Sequence, residues 1–190
     1  MNHIMLDFET LDTKPSAVVM SVGIVAFDPL ANDTIETLRN DPHRKLYLNL
    51  QFDDQIKNGR TISEDTIRWW FEDKLAEARS KLKSTDLVST PLALTLIDNF
   101  ILKHDIRYSW GNGSDFDNAI YDDLHRTFNR LNRIKYKNKR CARTIFGMTN
   151  KKYNPKDFNI LEHDAIEDCY FQILRLQDMF RNHLTGIDFS

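Results

Sequence analysis

The stretch H-I-M-L-D-F-E-T, residues 3–10, sets two acids inside a run that otherwise reads as a buried β-strand. Successive side chains of a strand point to opposite faces, so Asp7 and Glu9 share one face while Ile4, Leu6 and Phe8 share the other. Two carboxylates this close repel, and each resists leaving water unless a cation compensates it. The pair therefore marks either the solvated face of an edge strand or one side of a cation site.

Outward from this strand, A-V-V-M-S-V-G-I-V-A-F at 17–27 is rich in β-branched and aromatic residues and is closed by Asp28-Pro29, which predicts a second strand. K-L-Y-L-N-L-Q-F at 45–52 alternates Leu46, Leu48, Leu50 and Phe52 with Tyr47, Asn49 and Gln51, the pattern of a half-exposed third strand. No helical pattern intervenes, so the three strands are expected to form an antiparallel meander. From Ser63 the period becomes helical. Ser63 as N-cap, Glu64 and Asp65 in the first turn, and Ile67, Trp70, Phe71 and Leu75 as an apolar stripe predict a helix to about residue 83. Ser89 or Thr90 before Pro91 starts another. I-R-Y-S-W at 106–110 reads as a strand ended by G-N-G, and helices are predicted over about 117–131 and 164–182. This order predicts an α/β fold with a mixed sheet, residues 1–190 forming a single domain without internal repeat or linker.

The 190 residues, 41% hydrophobic and 28% charged, suffice for a full core without a disulfide or metal staple. A net charge of −2 excludes a polycation, so contact with nucleic acid would rest on local cations. R-I-K-Y-K-N-K-R-C-A-R at 133–143 offers six basic residues and no acid around Tyr136, either a solvated face or a seat for phosphates. Cys141 and Cys169 form no C-x-x-C pair and no zinc pattern, so free thiols are expected. With no apolar run of about 18 residues, the sequence predicts a soluble, cytoplasmic protein with no membrane partner.

Two further acidic groups follow. G-N-G-S-D-F-D at 111–117 is a turn leading from a strand into a helix, where Asp115 or Asp117 is either an N-cap or a second contributor to a cleft at the strand ends. In L-E-H-D-A-I-E-D-C at 161–169, Asp164 with Glu167 three positions later has the form of a capping box. That placement leaves His163 in the loop before the helix. On a continuous helix, residues five apart are rotated by about 140°, but a looped His163 can share a pocket with Asp168 in the first turn.

The three groups in this order resemble the DnaQ-like exonucleases of the DEDDh type, whose fold is ribonuclease H-like. L-D-F-E-T resembles their first motif, G-N-G-S-D-F-D-N-A-I their second and E-H-D-A-I-E-D their third, covering residue 4 to about 176. T-I-R-W-W at 66–70, W-G-N-G with F-D-N at 110–118, and H-D-A-I-E-D-C at 163–169 are most similar to the phage DexA-type exodeoxyribonucleases and the mycobacterial-type 3′-5′ exoribonucleases. The resemblance implies a mixed β-sheet whose first three strands are antiparallel, flanked by α-helices. It implies Asp7, Glu9, Asp117 and Asp168 as metal carboxylates and His163 as general base, with Asp115 a neighbour and Asp164 and Glu167 capping. It also implies that Thr10 and Leu11 engage the terminal nucleotide.

Hydrolysis of a phosphodiester at such a site would use two Mg²⁺ or Mn²⁺ ions about 3.5–4 Å apart, for which hard carboxylate oxygens are suited. A histidine with a reference pKa near 6.5 can accept the proton of the attacking water. Trp69 and Trp70 lie about 100° apart on a helix, and Trp70 is a candidate to contact a base, as is Asn112 in the turn, against the reading that both tryptophans are core. The expected substrate is the 3′ end of single-stranded DNA or RNA, with DNA favoured. The alternatives are an oligonucleotide-specific exoribonuclease and a catalytically silent nucleic-acid-binding module of the same fold. A homodimer is in keeping with the resemblance, although no apolar stripe in the sequence marks an interface.

Overall fold

A computed structural model describes residues 1–83, 85–113, 115–184 and 186. The chain runs β1 (His3–Thr10), β2 (Val19–Phe27), α1 (Ile35–Asn40), β3 (Lys45–Leu50), α2 (Asp53–Lys57), α3 (Glu64–Trp70) and α4 (Ala76–Lys81). It continues through β4 (Leu87–Val88), α5 (Thr90–Lys103), β5 (Tyr108–Gly111), α6 (Asp117–Thr127), β6 (Lys139–Cys141), α7 (Ala142–Phe146) and α8 (Ala165–Asn182). The strands form one sheet in the order β4-β3-β2-β1-β5-β6.

β1 is therefore interior, antiparallel to β2 on one side and parallel to β5 on the other. The edge-strand reading of its acids falls with that position. Ile4, Leu6 and Phe8 enter a core with Ala93, Ile97 and Ile101 of α5 and Ile120 and Leu124 of α6. Met5, on the face of the acids, packs with Cys169, Tyr170 and Ile173 of α8. Apolar layers cover both faces of β1, and the cavity opens at its polar end, around Asp7 and Glu9.

The antiparallel β1-β2-β3 order matches the expected meander, with a short helix that the sequence reading missed between β2 and β3. This helix, α1, buries only Leu38 and is held by reciprocal bonds between Thr34 and Thr37, so no apolar period announced it. The helix expected over 63–83 is broken into α3 and α4 around a 3₁₀ turn at Asp73–Leu75. Trp70 and Leu75 enter the same small cluster with Met20 and Ala78, and residues five apart on one straight helix would diverge by about 140°. The break turns both inward. The helix expected to 131 stops at Thr127, and Asn129 beyond it takes a left-handed conformation at φ 52°. Within the basic segment, Lys139–Cys141 pairs with β5 as the outer strand β6. No helix among the described residues is long and apolar enough to cross a membrane.

One glycine sets the approach of α8. Gly23 of β2 lies opposite Asp7 in the ladder, and a Cβ there would stand 2.3 Å from the carbonyl oxygen of Ala165. The missing side chain lets the start of α8 rest on the sheet backbone, directly over the acidic end of β1.

Candidate active site

Asp7 and Glu9 project from β1 into a cavity of about 610 Å³ that Asp117, His163 and Asp168 also line. Asp7 Oδ1 accepts a hydrogen bond from Gln172 Nε2 at 2.9 Å. Asp117, the first residue of α6, bridges β1 and the turn that follows β5. Its Oδ1 accepts the Phe8 N–H at 3.2 Å and its Oδ2 the Asn112 N–H at 3.1 Å. The Phe8 amide is available because the β1–β5 ladder ends at Met5. Gly111 makes room for this carboxylate, since a Cβ there would lie 2.8 Å from that of Asp117. Asp115 is exposed and does not line the cavity.

The third acidic group is built from a cap. Asp164 accepts the Ile166 and Glu167 N–H groups and so starts α8, as expected. Glu167 does not complete a capping box; it faces Arg39, whose Nε donates to it at 3.0 Å. His163 stands in the loop with φ 64°, and its own N–H donates to Asp168 Oδ2 at 3.0 Å. One ligand atom each of Glu9, His163 and Asp168 fall within 4.8 Å of one another. The imidazole meets the ring of Trp69 edge-on, centroids 4.9 Å apart.

The electrostatics are those of an acid cluster lacking countercharge. Burial, opposed by the Gln172 bond, pushes Asp7 up to about 7. Burial and then the charge of Asp7 push Asp168 to about 9 and hold Glu9 and Asp117 well above the carboxylate range. Among the described residues, none of the four is ion-paired with a lysine or arginine. Hard oxygen donors held together at this cost fit a divalent cation and fit little else. Burial lowers the pKa of His163, which keeps its imidazole neutral near pH 7.

The residues expected to touch substrate divide. Thr10 and Asn112 line the cavity. Leu11 packs instead against the cluster of Met20, Trp70 and Leu75. Trp70 borders the cavity but is 4% exposed, and its Nε1 donates to the Thr10 carbonyl at 2.9 Å, so it braces the end of β1. Trp69, the half-buried neighbour, is the ring that stands beside His163. Of the basic segment, Arg143 alone lines the cavity; Arg133 pairs with Asp98, and Lys139 with Asp122. The sequence reading passed over Gln172 and Gly23. Gln172 lies four residues after Asp168 and hence on the same helix face, and a glycine inside a strand signals close backbone approach.

Comparison with known proteins covers nearly the whole chain. The profile of the 3′-5′ exoribonuclease Rv2179c-like domain matches residues 2–180. A protein of Enterobacteria phage T4 described as an exodeoxyribonuclease is 28% identical over 208 residues, covering 95% of this chain and 90% of its own. The nuclease domain of 3′hExo, described as a DEDDh family member bound to rAMP, superposes with a TM-score of 0.59 at 11% identity, covering 98% of this chain and 95% of that one. That likeness shows the ribonuclease H-like fold of a DEDDh nuclease.

Proposed function

Since this chain belongs to the 3′-5′ exoribonuclease Rv2179c-like domain family, and is a 3′-5′ exonuclease by class, we propose that it removes nucleotides from the 3′ ends of single strands at the Asp7, Glu9, Asp117 and Asp168 site. One observation carries the reading: four carboxylates from three separate segments, β1, α6 and α8, converge beside one neutral imidazole, none of them ion-paired with a lysine or arginine among the described residues.

Asp7, Glu9, Asp117 and Asp168 would hold two divalent cations, Mg²⁺ or Mn²⁺, which when bound supply the charge that activates water and neutralises the departing 3′ oxygen. The chain's own groups do the rest. Asp117 is fixed by two backbone amides and Asp7 by Gln172, so these carboxylates need no reorganisation to receive a cation. His163 takes the proton of the attacking water at an imidazole nitrogen, its backbone tied to Asp168 and its ring braced by Trp69. Thr10 and Asn112 flank the position of the terminal nucleotide.

DNA is the preferred substrate in this reading, supported by the description of the phage relative over nearly the whole chain. RNA is the comparison, given the family's description. The test is a length series of 5′-labelled single-stranded DNA and RNA with Mg²⁺ or Mn²⁺, run on wild type and Asp7→Asn. Stepwise shortening from the 3′ end, lost in Asp7→Asn, is the expected result. Shortening that survives in Asp7→Asn overturns the site assignment, and faster shortening of RNA reverses the sugar preference.

A further inference from the structure

Eleven of the thirteen arginines spend their guanidinium groups on protein acceptors. The two that have no hydrogen bond or ion pair among the described residues, Arg143 and Arg175, both line the acidic cavity. Arg175 is stacked over the Phe146 ring at 3.7 Å, with Tyr153 at 5.3 Å and Phe171 at 5.4 Å from their centroids. Its Nε is buried without a partner. Rings occupy the faces of a guanidinium, whereas its N–H groups lie in its plane, so this cage holds the cation rigidly and leaves its donor edge unspent. A planar row of charged donors matches the oxygens of a phosphate.

Position gives the station its meaning. Asp168, Phe171, Gln172 and Arg175 follow one another along the cavity face of α8, and seven residues at 1.5 Å each put Arg175 about 10 Å from Asp168 along the helix axis. Arg143, three residues before Phe146 on α7, lines the same cavity, its guanidinium reaching to 3.6 Å from where a Cβ on Gly113 would stand. One end of the cavity thus attracts cations and the other attracts anions.

We propose that Arg143 and Arg175 form a phosphodiester station that grips the strand backbone on the 5′ side of the bond being cut. The proposal rests on the exonuclease reading above and extends it to how the strand is held. A strand with a single phosphate, seated at the acids, has nothing to offer the station, so affinity should climb once a further phosphate can reach it.

The test reads KM and kcat on single-stranded oligothymidylates of increasing length, across a series of salt concentrations. Wild type is compared with Arg143→Ala, Arg175→Lys and a control, Lys103→Ala, which removes an exposed charge at the end of α5 across the sheet. Arg143 is exposed, so its truncation leaves the core intact. Arg143→Ala should raise KM about tenfold on the longer strands with a smaller change in kcat, and reduce the salt slope by about 0.7, the loss of one single-strand phosphate contact. Arg175→Lys keeps the charge but not the fork, so KM should rise while the slope persists. The control should change neither. Equal KM and slope in both arginine variants and wild type overturn the station. Failure of the exonuclease reading looks different: wild type then shortens no strand. Fluorescence anisotropy of the same strands reads the station alone in that event, a tenfold loss of affinity in Arg143→Ala supporting it and equal affinity rejecting it.

Discussion

The backbone N–H of His163 donates to the carboxylate of Asp168 at 3.0 Å, which couples the proposed general base to an acid five residues later on the next helix. The coupling requires His163 to leave the helix, and its left-handed backbone at φ 64° does that. Imidazole and carboxylate then face one cavity although helical spacing would set them apart. A left-handed histidine is strained, and the Asp168 bond and the Trp69 edge contact offset that strain.

The two residues should separate in function. His163→Ala removes the proton acceptor and keeps all four carboxylates, so cleavage should fall by about 10²–10⁴-fold with divalent-cation affinity nearly unchanged. Asp168→Asn should lose both. Cleavage assays paired with calorimetric Mn²⁺ titration check this, and a His163→Ala protein that cleaves at the wild-type rate rules out the assigned role.

Without divalent cations the protein should lose stability as pH rises. Burial holds Asp7 at about 7 and Asp168 at about 9, above their ordinary carboxylate values, so the folded chain retains protons that the unfolded chain gives up. The stabilising contribution of protonation is complete below about pH 4 and vanishes as pH climbs through 7 to 9. In chelator, Tm should therefore be lower at about pH 9 than at about pH 5, and Mg²⁺ should raise Tm more at the higher pH. A Mg²⁺-induced shift that is equal at both values contradicts the assignment.

Gln172→Ala removes the side-chain bond that, among the described residues, favours the ionised form of Asp7. Cation affinity should weaken about 10- to 100-fold, as for other residues that orient a metal ligand. Calorimetry on the folded variant measures it; unaltered affinity means that Asp7 needs no such support.

Gly23→Ala places a methyl group against the Ala165 backbone, which cannot swing aside as a side chain would. Overpacking of this kind costs about 1–3 kcal/mol, and the displaced start of α8 carries His163 and Asp168 away from Asp7. Urea unfolding should show the loss of stability, with activity reduced in fully folded protein. Retention of both properties shows that α8 can shift without consequence.

The sequence by itself determined the acids and their order. The D-x-E pair reads from the alternation of a strand, a purely local property, and the histidine outside its helix reads from the Asp164 cap. The antiparallel meander was equally legible, since its three strands are neighbours along the chain. What the sequence left open depended on contacts between distant residues. Asp115 and Asp117 are alike by local pattern; the family resemblance implied Asp117, and only the fold supplied the Phe8 amide, freed where β1 and β5 part, that holds its carboxylate. Trp69 and Trp70 are likewise adjacent and identical, and the packing of α3 against Met20, Leu75 and Ala78 decided which ring is buried. Arg143 is the last residue of the basic run and nothing in the sequence sets Arg175 apart; only the fold gave the other arginines partners and brought these two to the same cavity. Backbone pattern is encoded over a few residues, whereas partnership and desolvation are set only when segments far apart in the chain are packed together.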